Sequence, residues 1–152
     1  MNLDPVQSIA ALSSRWLSRF SRSKELPEHI RRGQRGEKEA CRFLRERGYK
    51  VLYRNFKSRA GGEIDIVCRD GETLVFVEVK TRGGTEFGRP LDAIGREKQM
   101  RVSKGGLAWL RLLDNPDLGF RFDVVEIVWP ADGTPQCELI QDAFELSQPY
   151  IY

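Results

Sequence analysis

The sequence predicts an α/β domain with a mixed central sheet flanked by helices. Three observations carry that expectation. Apolar residues fall at helical spacing over residues 30–47, and a second long helix is expected over 91–113. Strand-like runs occupy 49–56, 61–82 and 121–129. The dipeptide Asp70-Gly71 between two apolar runs is a strong signal for a two-residue hairpin turn.

The elements follow in order. Residues 7–20, QSIAALSSRWLSRF, read as a short amphipathic helix with Ile9, Leu12, Trp16 and Phe20 near one stripe. Their Arg and Ser content superficially resembles a transit peptide, but there is no long apolar centre of a secretory signal. SRSKELPEH then reads as a linker, so residues 1–29 form an N-terminal extension, 30–148 the domain and 149–152 a tail. The helix over 30–47 has Ala40, Cys41, Phe43 and Leu44 on its apolar side and stops at Gly48. Tyr49 to Phe56 is a first strand, and the hairpin GGEIDIVCRDGETLVFVEVKTR supplies two more. RGGTEFGRP, residues 82–90, is a glycine-rich loop. Gly95, Gly105 and Gly106 weaken the helix expected over 91–113. RFDVVEIVW is a strand, and QCELIQDAF is another.

Composition narrows the class. The chain has 152 residues, the length of one domain with an appendage, and is 40% hydrophobic and 31% charged. No apolar run approaches the roughly 18 residues that span a bilayer. Cys41, Cys68 and Cys137 form no CxxC pair and are odd in number. That favours a reduced, cytoplasmic chain in which each is a small core residue. Net charge is +3, but its distribution is uneven. Fifteen basic residues lie between Arg15 and Arg59, whereas Arg121 is the one basic residue after Leu113. A basic front suits a polyanion, with a self-neutralising surface as the alternative.

The hairpin carries charges that apolar strands do not need. With Asp70-Gly71 as the turn, Arg69 pairs with Glu72, Asp65 faces Phe76 and Glu63 faces Glu78. Alternation then puts Glu63, Asp65, Phe76, Glu78 and Lys80 on one face. Ile64, Ile66, Val75, Val77 and Val79 take the other. Asp65 and Glu78 become diagonal neighbours, roughly 7–8 Å apart, able to converge on one ion. Carboxylate oxygens select a hard cation such as Mg²⁺. Such an ion can activate water and stabilise charge on a phosphate. Lys80, on the same face, can hold the attacking water or neutralise the developing charge. The alternative is a solvated face on which Lys80 pairs with Glu78 or Glu63.

GEIDIV followed by VFVEVKTR resembles the PD-(D/E)XK nuclease superfamily, whose pattern is an Asp on one strand and (Asp/Glu)-x-Lys on the next. RRGQRGEKEACRFLRERGYKVLYRN through GREKQMRV to RFDVVEIV is similar to the YraN family of bacterial proteins, described as endonuclease-like. The likeness spans roughly residues 32–128. It implies a restriction-endonuclease-like fold and a nuclease-like domain using Mg²⁺ or Mn²⁺. Asp65 and Glu78 would be the metal carboxylates, Lys80 the catalytic lysine and Glu37 the acid from the first helix. Gln99 matches a polar position on the helix after the catalytic strand. The proline that names the motif is absent before Asp65.

Arg54, Lys57, Arg59, Arg82, Arg89, Lys98 and Arg101 flank these positions and suit phosphate contacts, which hold nucleic acid without reading its sequence. The expected partner is nucleic acid, DNA before RNA, and not a membrane; a homodimer is left open. A metal-dependent endonuclease acting on DNA, including branched DNA, is the leading expectation. Nucleic-acid binding without cleavage and a protein-interaction module are the alternatives.

Overall fold

A computed structural model of the chain describes residues 26–83, 94–131 and 133–150. The helix expected over 7–20, residues 84–93 of the loop and following segment, and the last two residues lie outside the described residues. Helix α1 (Glu28–Glu46) precedes strands β1 (Lys50–Lys57), β2 (Glu63–Asp70) and β3 (Thr73–Gly83). Helix α2 (Arg96–Leu112) leads to β4 (Phe120–Trp129) and β5 (Gln136–Phe144). The five strands form one sheet in sequence order. Among the described strands only β3 and β4 run parallel, with α2 in the connection between them. The mixed sheet between helices is the α/β architecture expected.

Each helix covers one face. Ala40, Cys41, Phe43 and Leu44 of α1 pack on Ile66, Cys68, Val75, Val77, Val125 and Ile127. Val102, Leu107, Trp109 and Leu110 of α2 pack on Ile64, Val67, Leu74, Phe76 and Phe122. Strands β2, β3 and β4 are therefore buried on both faces, which explains LVFVEVK: Phe76 points into the α2-side core. All three cysteines are free; Cys41 and Cys68 are buried core residues as expected, and Cys137 is half-buried at the edge of the core. Among the described residues, no helix is long and apolar enough to cross a membrane.

Two hairpin assignments are corrected. Asp70 pairs with Thr73 and Ile66 with Val77, so the turn residues are Gly71 and Glu72, one step later than expected. Gly71 takes the first turn position with φ +57°, a conformation glycine adopts without a Cβ clash. The pairing sum rises by two, an even step, so Phe76 and Glu78 keep their common face. Asp65 no longer faces Phe76, and Glu63 no longer faces Glu78. The second correction is Ile64, which belongs with the α2-side core rather than with Ile66 and Val77.

Gly105 and Gly106, which weaken α2 on propensity, are what let it approach the sheet. A Cβ on Gly62 would stand 2.3 Å from the Gly105 nitrogen. One on Gly106 would stand 3.0 Å from the Phe76 ring. Backbone meets backbone at Gly62 and an aromatic ring at Gly106, so helix propensity yields to packing.

A polar network ties the other end of the sheet together. Asp123 on β4 is fully buried. Arg121 donates to it at 2.9 Å, to the Asp70 carboxylate at 2.8 Å and to the Tyr49 hydroxyl at 2.8 Å. Gln141 donates to Tyr49 at 2.7 Å, and the Asp142 backbone N–H to Asp123 at 2.9 Å. Residues from β2, β4, β5 and the turn before β1 thus share one set of bonds around a buried carboxylate.

Candidate active site

The sheet opens where the charges lie. The β2–β3 pairing ends at Ile66 and Val77. Beyond it, β2 stays on β1 as far as Glu63, and β3 stays on β4 as far as Gly83. Asp65 closes the head of the split: its Oδ2 accepts the Val79 backbone N–H at 2.8 Å. That bond replaces a ladder bond and turns Asp65 toward β3. Extending the register one step sets Asp65 across from Glu78, closer than the diagonal expected.

Asp65 is 9% exposed and Glu78 8%. Burial, then the Asp65 charge, push the Glu78 carboxyl up to about 8, against the opposing pull of Lys98. Glu78 Oε2 is buried with no hydrogen-bond partner. Lys98, from the first turn of α2, reaches Glu78 at 3.2 Å and Glu63 at 3.3 Å. Burial disfavours its charge, but Glu78, Asp65 and Glu63 together outweigh that and raise its pKa.

Glu37 enters from α1. Its Oε2 accepts from the Asn55 amide at 2.8 Å and lies 3.9 Å from Arg54. Burial raises its pKa, as do the charges of Asp65 and Glu63, while Asn55 and Arg54 oppose them. Glu37 therefore sits within electrostatic reach of Asp65, at the rim. Asn55 holds φ +55°, in the left-handed region that Asn tolerates better than most residues. The β1–β2 register places it beside Asp65.

Lys80 follows Glu78 on the same strand face and stands beside Glu126 in the β3–β4 ladder. Glu126 is fully buried and ion-paired with Arg82. Glu78 and Lys80, on the strand face of Phe76, thus share the α2 side, while Asp65 turns toward β3 at the head of the split and Glu37 stands at the edge. Glu126 and Asn55 are the contributors that sequence reasoning missed. EIV inside an apolar strand was a visible oddity for the first; nothing local marked the second.

The basic positions divide. Arg54, Lys57 and Arg59 are exposed on β1 and the turn after it. Arg101 makes a surface pair with Glu97 at 2.9 Å. The Gln99 amide donates to the Ile94 carbonyl at 3.0 Å and holds the helix entry. Lys98 and Arg82 are engaged by site carboxylates, and Arg89 lies outside the described residues.

The divalent cation implied by the resemblance fits this donor set. Two carboxylates converge, and a buried Glu78 oxygen lacks a partner. Among the described residues, no group of three His, Cys, Asp or Glu forms a ready-made cage. Two carboxylates nevertheless suit Mg²⁺, which retains several waters.

A pH dependence follows for the metal-free protein. The Glu78 carboxyl rises from an ordinary 4.5 to about 8 on folding. Between those values the folded state keeps a proton that the unfolded state releases. The Glu78 contribution to stability therefore falls as pH rises through that window. Glu78→Gln should melt progressively higher than wild type from pH 5 to 8, by an amount worth a few kcal/mol at the top. Thermal melts in chelator would check this; a constant offset would contradict it.

The model of the "Uncharacterised protein family UPF0102" matches residues 36–127. A UPF0102 protein of Syntrophus aciditrophicus is 44% identical over 122 residues, 80% of this chain and 94% of that protein. One from Geobacter metallireducens is 48% identical over 115 residues, 76% of this chain and 93% of that protein. Every residue of the split from Glu37 to Glu126 falls inside the matched span. The chain belongs to family UPF0102, the YraN family that its motifs resemble.

Proposed function

We propose that the protein is a divalent-metal-dependent phosphodiesterase that cuts nucleic acid, with DNA as the favoured substrate. The observation that carries this reading is the split between β2 and β3, where Asp65 and Glu78 converge beside Lys80. Asp65 and Glu78 would hold Mg²⁺ or Mn²⁺, which when bound supplies an activated water and charge stabilisation at the phosphate. Lys80 carries a positive charge toward the same face, where it would orient the attacking water and offset charge developing on the phosphate. Glu37 holds Asn55 beside Asp65 from the α1 side. Lys98 lies 3.3 Å from Glu63 and 3.2 Å from Glu78 and would give way to the incoming cation.

A panel of labelled duplex, flap, single-strand and four-way DNAs, incubated with Mg²⁺ or Mn²⁺, tests the reading. Cleavage of at least one structure, lost in chelator, is expected; an intact panel would contradict it. A second reading, binding without cleavage, draws on Lys98: its ammonium already satisfies two of the carboxylates. Binding in both readings should be phosphate-driven. Affinity should fall by about 10³-fold or more between low and moderate salt if six or so phosphates are contacted. Fluorescence anisotropy over a salt series measures this, and a flat response would favour protein interaction instead.

A further inference from the structure

A second cationic feature lies outside the split. A cavity of about 270 Å³ opens between the first turns of α1 and the end of β4. Arg32, Arg35, Trp129, Pro130 and Gly133 line it, together with Glu28. The Arg35 guanidinium stacks on Trp129, 4.5 Å from the ring centroid. Arg32 lies over Gly83, where a Cβ would come within 3.2 Å of its guanidinium. Neither arginine has an ion pair with a carboxylate among the described residues, and Glu28 pairs instead with Arg31 at 2.9 Å.

Stacking on an indole fixes a guanidinium plane and leaves its N–H edges outward. A second guanidinium nearby completes a fork-like donor set that suits phosphate. The cavity sits at the carboxyl ends of the parallel pair, where Gly83 is beside Trp129. Ligands of open α/β sheets favour that end. Three residues separate Gly83 from Lys80, roughly 10 Å along a strand. That is within the reach of a nucleic-acid strand leaving the split around the sheet end.

We propose that Arg32, Arg35 and Trp129 form a phosphate clamp that holds the flank of the nucleic-acid strand entering the split. The clamp rests on the nuclease reading above and deepens it. Its ligand is a phosphate of that strand, either internal or at an end.

The test uses the full chain in chelator, with a short fluorescein-labelled single strand carrying a 5′-phosphate or a 5′-hydroxyl. Arg32→Ala/Arg35→Ala should weaken binding about tenfold or more. It should also make the log–log salt slope shallower by about one. Arg35→Lys should recover only part of the loss, because lysine keeps the charge but not the stacked fork. Loss of affinity on removing the 5′-phosphate, to the level of the double variant, identifies an end-binding clamp; equal affinity for both ends identifies an internal one. Both arginines are exposed, so the variants should fold as wild type does. Unchanged affinity and slope in the double variant, or full rescue by Arg35→Lys, would overturn the clamp alone. A wild type that binds neither strand at low salt would overturn the clamp and the nuclease reading together.

Discussion

Glu78→Gln should abolish cleavage, by about 10²–10³-fold or more, while nucleic-acid binding is kept or tightened. The swap preserves shape and removes a negative charge that both holds the cation and repels the phosphate backbone. The side chain is 8% exposed, and its ionisation is held back by burial and Asp65. A neutral amide there relieves the fold, so lost activity cannot be ascribed to unfolding. Lys80→Ala should lose cleavage as well, yet retain metal binding, because the lysine is not a ligand. Were Glu78 and Lys80 a solvated surface pair, worth about 0–1 kcal/mol, neither change would alter function. Cleavage and anisotropy on the same preparations separate the two. Equal cleavage by wild type and Glu78→Gln would remove Glu78 from the site.

Arg121→Ala should be the most damaging single change to the fold, costing about 3–5 kcal/mol. Asp123 is fully buried, and Arg121 supplies its countercharge. The same guanidinium holds Asp70 and Tyr49. Its removal strands a buried carboxylate, whereas a typical domain has only about 5–15 kcal/mol in hand. Asp123→Asn in the Arg121→Ala background should recover part of the loss, since the remaining amide carries no charge. Denaturant unfolding of the four proteins measures the coupling. An Arg121→Ala protein within about 0.5 kcal/mol of wild type would show that the network is incidental.

Much of the site was legible because period-two alternation survives a register error. Asp70-Gly71 marked the hairpin, and the actual turn, one residue later, changed the pairing sum by an even number. Phe76 and Glu78 therefore kept their face, and Asp65, just past the ladder, is brought toward Glu78 by its bond to the Val79 N–H. Ile64 was misplaced because alternation holds only while the ladder does, and the ladder stops at Ile66. Where a ladder stops is decided by tertiary packing, here by the Gly62–Gly105 contact and the Asp65–Val79 bond. The same cause hid Asn55 and the docking of Lys98, whose α2 position says nothing of β3. Glu126 was hidden differently. It lies in an apolar strand whose neighbours were assigned correctly, and its value depends on the parallel ladder beside Lys80.

The central claim is that the oxygens of Asp65 and Glu78 hold a divalent cation in the β2–β3 split. Mn²⁺ binding, followed by electron paramagnetic resonance at neutral pH without nucleic acid, tests it directly. Wild type and Lys80→Ala should take up Mn²⁺ with similar affinity. Asp65→Asn and Glu78→Gln should each weaken it by about 10-fold or more. Uptake that both carboxylate variants leave unchanged, or none by wild type at millimolar metal, would contradict the account.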